Sequence, residues 1–303
     1  MADLFSPLTI GTRALPNRIV AAPTLLDAGQ PDGFINAEVA QYYATWARGG
    51  AGLVITELLC VAPLRDGAPQ PGLGLYHDAF VPGLRRLVAG VRTAGACVIV
   101  GLDAPPVPPE ADLRPLAEAF LAAIWRAHSA GADGVLLSTA DGGLLHQLLS
   151  PRLNQRQDGY GQSQAGRQHL LMVILEEANR WLGRRLILAV RLLPDEFTPG
   201  GLGLQDARML ARRLTAAGVR MLEVATPVAA TQVARFPGWA VPLVSSIKRI
   251  TDVPVIGSGE LDDPHLADSV VRDGSLDLVI PGHAPQHGPE WPRFARRVLE
   301  GYD

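Results

Sequence analysis

The sequence predicts an α/β fold, a single (β/α)8 TIM barrel spanning residues 1–303, on three observations. Short runs rich in β-branched and aliphatic residues recur eight times along the chain, and segments with helical spacing separate them. Strand–helix alternation produces right-handed βαβ units and a parallel sheet, and eight such units close a barrel. No linker or low-complexity segment divides the chain. A doubly wound sheet would instead need a glycine-rich phosphate loop after its first strand, and "AAPTLLDAG" (21–29) is not one.

Taken in order, the first strand is "NRIVAA" (17–22), followed at 31–34 by the turn sequence "PDGF". "GLVITELLCV" (52–61) is the second strand. In "DAFVPGLRRLVAGVRTAG" (78–95), Phe80, Leu84, Leu87, Val88 and Val91 share one helical face, and Gly95 ends the turn. "ACVIVGL" (96–102) and a helix over 110–130 follow, then "GVLLS" (134–138) and a helix over 163–182. "LILAVRL" (186–192) leads through the turn "TPGGLG" (198–203) to a helix over 204–217. "MLEVA" (221–225), "VPVIGS" (253–258) and "LDLVIPG" (276–282) complete the strands, with helices over 262–273 and 289–300.

Composition narrows the function classes. Hydrophobic residues make up 48% of the chain and charged residues 19%, with a formal net charge of −3 and no long run of either sign. That suits a globular protein and excludes a basic nucleic-acid groove or an electrostatic membrane anchor. Cys60 and Cys97 lie apart in apolar runs, without metal-ligand spacing, so buried thiols, a reducing cytoplasmic setting and no catalytic metal are expected. The start "MADLFSPLTIG" lacks a basic n-region, and no apolar stretch reaches the roughly 20 residues of a membrane span.

In a barrel of this kind the chemistry sits at the C-terminal ends of the strands. The side chains to inspect are therefore Pro23 to Asp27, Glu57 and Leu58, Gly101 to Ala104, Ser138 to Gly143, Arg191 to Glu196, Ala225 and Thr226, Ser258 to Glu260, and Gly282 with His283.

Several long motifs carry a resemblance. "LFSPLTIGTRALPNRIVAAP", "ARGGAGLVITE", "LLSPRLNQRQDGYG", "PVIGSGELDDP" and "DLVIPGH", read in order, are similar to the old yellow enzyme family of FMN-dependent ene-reductases. "RFPGWAVP" and "LLHQ" resemble its compact bacterial subclass. The resemblance runs nearly end to end and implies the same barrel. It also implies an FMN site made by Pro23, Arg191, Gly259, Gly282 and His283, with Arg191 facing the pyrimidine side of the flavin.

The site positions depart from that pattern. Leu25 stands where the family has a Thr or Cys, Asp27 where the compact subclass has a tyrosine, and Leu58 where a small residue follows the glutamate, here Glu57. Gly101 replaces the ring-binding glutamine, and Ser138 and Asp141 replace the pair that holds the substrate carbonyl. Gly143 replaces a proton-donating tyrosine, His283 replaces the phosphate arginine, and Glu260 follows Gly259. The loop after strand three is shortened, which opens the mouth.

These losses lead to the expectation of no cofactor and of a flavin-independent enzyme on an old yellow enzyme-like barrel. It would catalyse a cyclisation, cycloaddition or isomerisation of an unsaturated carbonyl intermediate in natural-product biosynthesis, at a mouth open enough to admit a large substrate. Arg191 and Ser138 would polarise the substrate, Asp103 or Asp141 would carry protons, and Leu25, Asp27, Glu57, Leu58 and His283 would bind it. The partner expected for Arg191 is Glu57, Asp141 or an anionic substrate, with an internal ion pair as the other reading. The alternative function is an FMN-dependent reductase or dehydrogenase with an altered substrate site, and a homodimer is the assembly considered. A non-catalytic scaffold is the third reading.

Overall fold

A computed structural model describes residues 2–23, 32–63, 72–140, 142–226, 235–282 and 287–301. Leu25, Asp27, Asp141 and His283 lie outside the described residues. The chain opens with an antiparallel hairpin, β1 (Leu8–Ile10) and β2 (Arg13–Leu15), turned at Gly11. Eight parallel strands follow: β3 (Val20–Ala21), β4 (Leu53–Cys60), β5 (Cys97–Asp103), β6 (Gly134–Thr139), β7 (Ile187–Leu192), β8 (Met221–Val224), β9 (Val255–Gly257) and β10 (Leu278–Val279). Each pairs with its neighbour in chain order. A parallel bridge from Ile19 to Val279, with the Val279 N–H donating to the Arg18 carbonyl at 2.9 Å, closes the sheet on itself. The barrel is therefore as predicted.

The helices are α1 (Ala37–Arg48), α2 (Val81–Thr93), α3 (Arg114–Ser129), α4 (Leu144–Leu149), α5 (Gln164–Leu182), α6 (Leu204–Ala216), α7 (Val241–Lys248), α8 (Pro264–Arg272) and α9 (Trp291–Glu300). Among the described residues, none is long and apolar enough to cross a membrane. Three elements escape the pattern reading. Helix α1 buries Val39, Tyr43, Ala44 and Ala47, a face half made of alanine that gives a weak periodic signal. Helix α7 is only eight residues long, and the hairpin strands have three residues each, too short for alternation to show.

Strand alternation sorts the apolar residues into two cores. Outward-facing Val54, Val98, Val100, Val135, Leu188 and Val190 pack under the helices. Inward-facing Leu53, Ile55, Ile99, Leu136, Ile187, Met221 and Ile256 fill the barrel, joined by Ile10 and Leu15 of the hairpin. The hairpin caps the N-terminal end, where Arg13 Nε lies 3.0 Å from the Asp133 carboxylate just before β6. Chemistry is thereby confined to the opposite end.

The shortened loop, residues 104–113, is tied down. Gln147 grips Val107 twice, accepting from its N–H at 2.9 Å and donating to its carbonyl at 2.8 Å. Arg156 donates to the Ala111 carbonyl at 3.0 Å. The segment "SPRLNQRQDGYG" is bound into the same network. Asn154 donates to the carbonyls of Leu148 (2.7 Å) and Tyr160 (2.8 Å), and Arg156 forms a forked pair with Asp158.

Candidate active site

Two residues past the apolar filling, the same inward phase of β6, β7 and β8 turns polar. On β7 the inward positions run Ile187, Ala189, Arg191, and on β8 they run Met221, Glu223. Parallel register sets Arg191 beside Glu223, with Arg191 Nε 2.9 Å from Glu223 Oε1. Glu223 is 5% exposed, and its second oxygen is buried without a hydrogen bond among the described residues. Among the described residues Arg191 thus pairs with Glu223, a carboxylate not named among its expected partners, while Asp141 lies outside the described residues. The signal was present in "MLEVA", because Glu223 shares the inward phase of Met221. A buried arginine without a counter-charge would be far costlier than this pair.

Ser138 pairs in register with Arg191 from β6 and is fully buried. Among the described residues its hydroxyl contacts the Ala140 carbonyl (3.4 Å) and N–H (3.3 Å). From β9, Ser258 extends the polar layer, its hydroxyl 3.3 Å from that of Thr226.

A bulge in β4 decides what becomes of the missing glutamine. The register shifts between Ile55 and Leu58, and Leu58 comes opposite Gly101. The Thr56 hydroxyl accepts from the Gly101 N–H at 3.0 Å and donates to the Glu57 carbonyl at 2.8 Å, which satisfies the bulged backbone. A Cβ on Gly101 would lie 3.0 Å from Leu58 Cδ2, so Leu58 takes part of the room a glutamine would use. Glu57 is half-buried and burial pushes its carboxyl up to about 7. Its N–H donates to the hydroxyl of fully buried Tyr43 at 3.0 Å.

Asp103, half-buried at the end of β5, accepts from the Ala104 N–H at 2.8 Å. A Cβ on Gly143 would fall 1.8 Å from Asp103 Oδ2. The carboxyl therefore fills the volume that any side chain at 143 would need. Nearby, His146 Nδ1 accepts from the Gly142 N–H at 3.0 Å, so Nε2 carries the proton and donates to Glu196 at 3.0 Å. His146 is thus a loop anchor.

At the other side of the mouth, Pro23 and Gly282 line a narrow apolar cleft together with Trp46 and Trp291. Gly259 has φ +119°, and Glu260 beside it has φ +57°, a left-handed conformation that costs a non-glycine residue about 1–2 kcal/mol. Both carboxylate oxygens of Asp262 lie 2.8 Å from where a Cβ on Gly282 would sit. Asp262 Oδ1 is buried without a hydrogen bond among the described residues, and burial together with Glu260 raises the Asp262 pKa. The ring end of this site suits a flavin, since Arg191 offers a fixed cation. The phosphate end does not suit FMN: two carboxylates stand at the glycines that would cradle its anion. Among the described residues, no group of three or more His, Cys, Asp and Glu is placed to hold a metal ion.

Comparison with known proteins gives the chemistry its class. The chain is 29% identical to an NADPH dehydrogenase of Geobacillus thermodenitrificans, over 98% of this chain and 94% of that protein. It is also 29% identical to an NADH oxidase of Thermoanaerobacter brockii, over 97% of this chain but only about half (50%) of that longer protein. The solved structure of morphinone reductase in complex with tetrahydroNAD superposes with a TM-score of 0.79 at 22% identity, covering 100% of this chain and 92% of that one, and shows the same barrel. These redox relatives overturn the expectation of a cofactor-free cyclase or isomerase in natural-product biosynthesis and favour its alternative, an FMN-dependent oxidoreductase. The family model for NADH:flavin oxidoreductase / NADH oxidase matches residues 3–118 and 109–300, and the chain belongs to that family, the old yellow enzymes.

Proposed function

We propose that the chain is a flavin-dependent oxidoreductase that takes electrons from a reduced nicotinamide and acts on a small unsaturated molecule at the barrel mouth. The observation that carries this reading is Arg191. Strand alternation and the Glu223 carboxylate hold its guanidinium at the C-terminal end of the barrel, where a fixed cation stabilises an electron-rich ring. Membership of the family supports the redox class.

Asp103, at the end of β5 and one strand removed from β7, is the acid–base group of the site. Its carboxyl occupies the space left by Gly143, at the position where the family places a tyrosine, and can hold or accept a proton at Oδ2. Leu58 narrows the floor between β4 and β5 and favours an apolar substrate edge there. The test is anaerobic mixing of flavin-loaded protein with NADH or NADPH while the flavin absorbance is followed. Bleaching that is lost in Arg191→Ala supports the proposal. A bound flavin that neither nicotinamide reduces would overturn it.

A further inference from the structure

We infer that the phosphate end of this site selects against a phosphomonoester, so that the protein holds a flavin ending in an uncharged ribityl chain more tightly than FMN. The inference rests on the flavin reading above and concerns which form of flavin the barrel takes.

Three features converge on it. The glycine cradle survives: Gly259 keeps a conformation closed to most side chains, and Gly282 keeps its bare face. Among the described residues, carboxylates face that cradle. Asp262 presses its carboxylate against Gly282, with one oxygen left without a hydrogen bond among the described residues, and Glu260 projects from the residue after Gly259. Glu260 does so from a left-handed backbone, a strained conformation of the kind that persists where surrounding structure over-determines it.

The helix that follows offers no compensation. The N-terminal N–H groups of α8 would ordinarily attract an anion. Here the side chain of Asp263 already accepts from the N–H groups of His265 (2.7 Å) and Leu266 (3.3 Å). The run "ELDD" thus spends one carboxylate on capping and leaves two beside the cradle. The capping aspartate also cancels part of the helix-end field that a phosphate would feel. A phosphate dianion placed at Gly259 and Gly282 meets both remaining carboxylates, whereas a terminal hydroxyl can donate a hydrogen bond to Asp262 Oδ1.

The test is a pair of fluorescence-quenching titrations of the full chain, one with riboflavin and one with FMN, at low and at high salt. The expected result is roughly 10-fold or more tighter binding of riboflavin, the scale that partly solvent-screened charge repulsion sets. The gap should narrow as salt rises, because the discrimination is electrostatic. Asp262→Asn with Glu260→Gln should strengthen FMN binding and weaken riboflavin binding, because the neutral Asn oxygen is a poorer acceptor for the terminal hydroxyl, so that the ratio closes from both sides. FMN binding as tight as or tighter than riboflavin in the unmodified protein would overturn the inference while leaving the flavin reading standing. A ratio insensitive to both salt and the double substitution would also overturn it. Failure of both flavins to bind would sink the proposed function itself, and the inference with it.

Discussion

The two sides of the barrel mouth treat polar groups in opposite ways. On the side of α4 and the segment 147–161, polar side chains are spent on backbone. Gln147 grips Val107, Asn154 grips two carbonyls, and Arg156 joins Asp158 to the shortened loop. On the side of β4, β9 and β10, carboxylates are left in poor surroundings. Glu57 is raised by burial, Asp262 has an oxygen without a partner among the described residues, and Glu260 sits on a strained backbone. The first arrangement holds the loops that frame the site. The second lowers stability, as residues retained for binding or chemistry commonly do.

Substitutions on the two sides should therefore move stability in opposite directions. The largest effect is expected from Arg156→Ala, which removes a guanidinium that is 8% exposed and leaves the Ala111 carbonyl without its donor. Because Asp158 is half-exposed, a loss of about 2–3 kcal/mol is expected, read from the urea midpoint at unchanged slope. An unchanged midpoint would break the comparison at its stronger end.

Glu57→Gln should act the other way. The folded-state value of about 7 lies above the ordinary 4.5, so between these the folded protein binds more protons than the unfolded chain. Stability contributed by the protonated carboxyl is present at acid pH and is lost as pH rises through about 7. Thermal melts of Glu57→Gln and the parent should coincide near pH 4.5 and diverge by about 1–2 kcal/mol near pH 8, with the variant more stable; the figure is discounted for partial solvent exposure. Equal melts at pH 8 would show that Glu57 has found a counter-charge.

Glu260→Gly relieves a left-handed backbone and should raise stability by about 1 kcal/mol in chemical denaturation. Asp262→Asn carries the smallest expected effect, a gain of about 0.5 kcal/mol at neutral pH that fades on acidification, because its carboxyl too is raised. A destabilised Asp262→Asn would mean that this carboxylate braces the loop and does not merely tolerate its place.

Much of this was written in local pattern. All eight barrel strands lie within apolar runs visible in the sequence, because parallel strands covered on both faces read as continuous hydrophobic stretches. Within "SPRLNQRQDGYG" the bonds of Asn154 and the Arg156–Asp158 pair are local, whereas the bond from Arg156 to Ala111 spans 45 positions and needed the fold. The positions of Pro23, Gly259, Gly282 and Arg191 followed from strand ends. The functional class did not. Counting lost flavin contacts pointed away from redox chemistry, and only the redox character of the chain's relatives corrected it.

Local pattern was enough to specify the barrel, its catalytic end and the chemical types gathered there. Burial period and turn chemistry are properties of neighbouring residues, and neighbours are what a sequence displays. The pairings were decided by tertiary structure alone. Arg191 met Glu223, 32 positions away, through parallel register. Asp103 came to fill the space beside Gly143, Leu58 moved over Gly101 by a bulge, and Asp262 closed on Gly282. Each of these depends on how far one strand slides against the next, and a shift of a single residue would turn the same side chains to the opposite face.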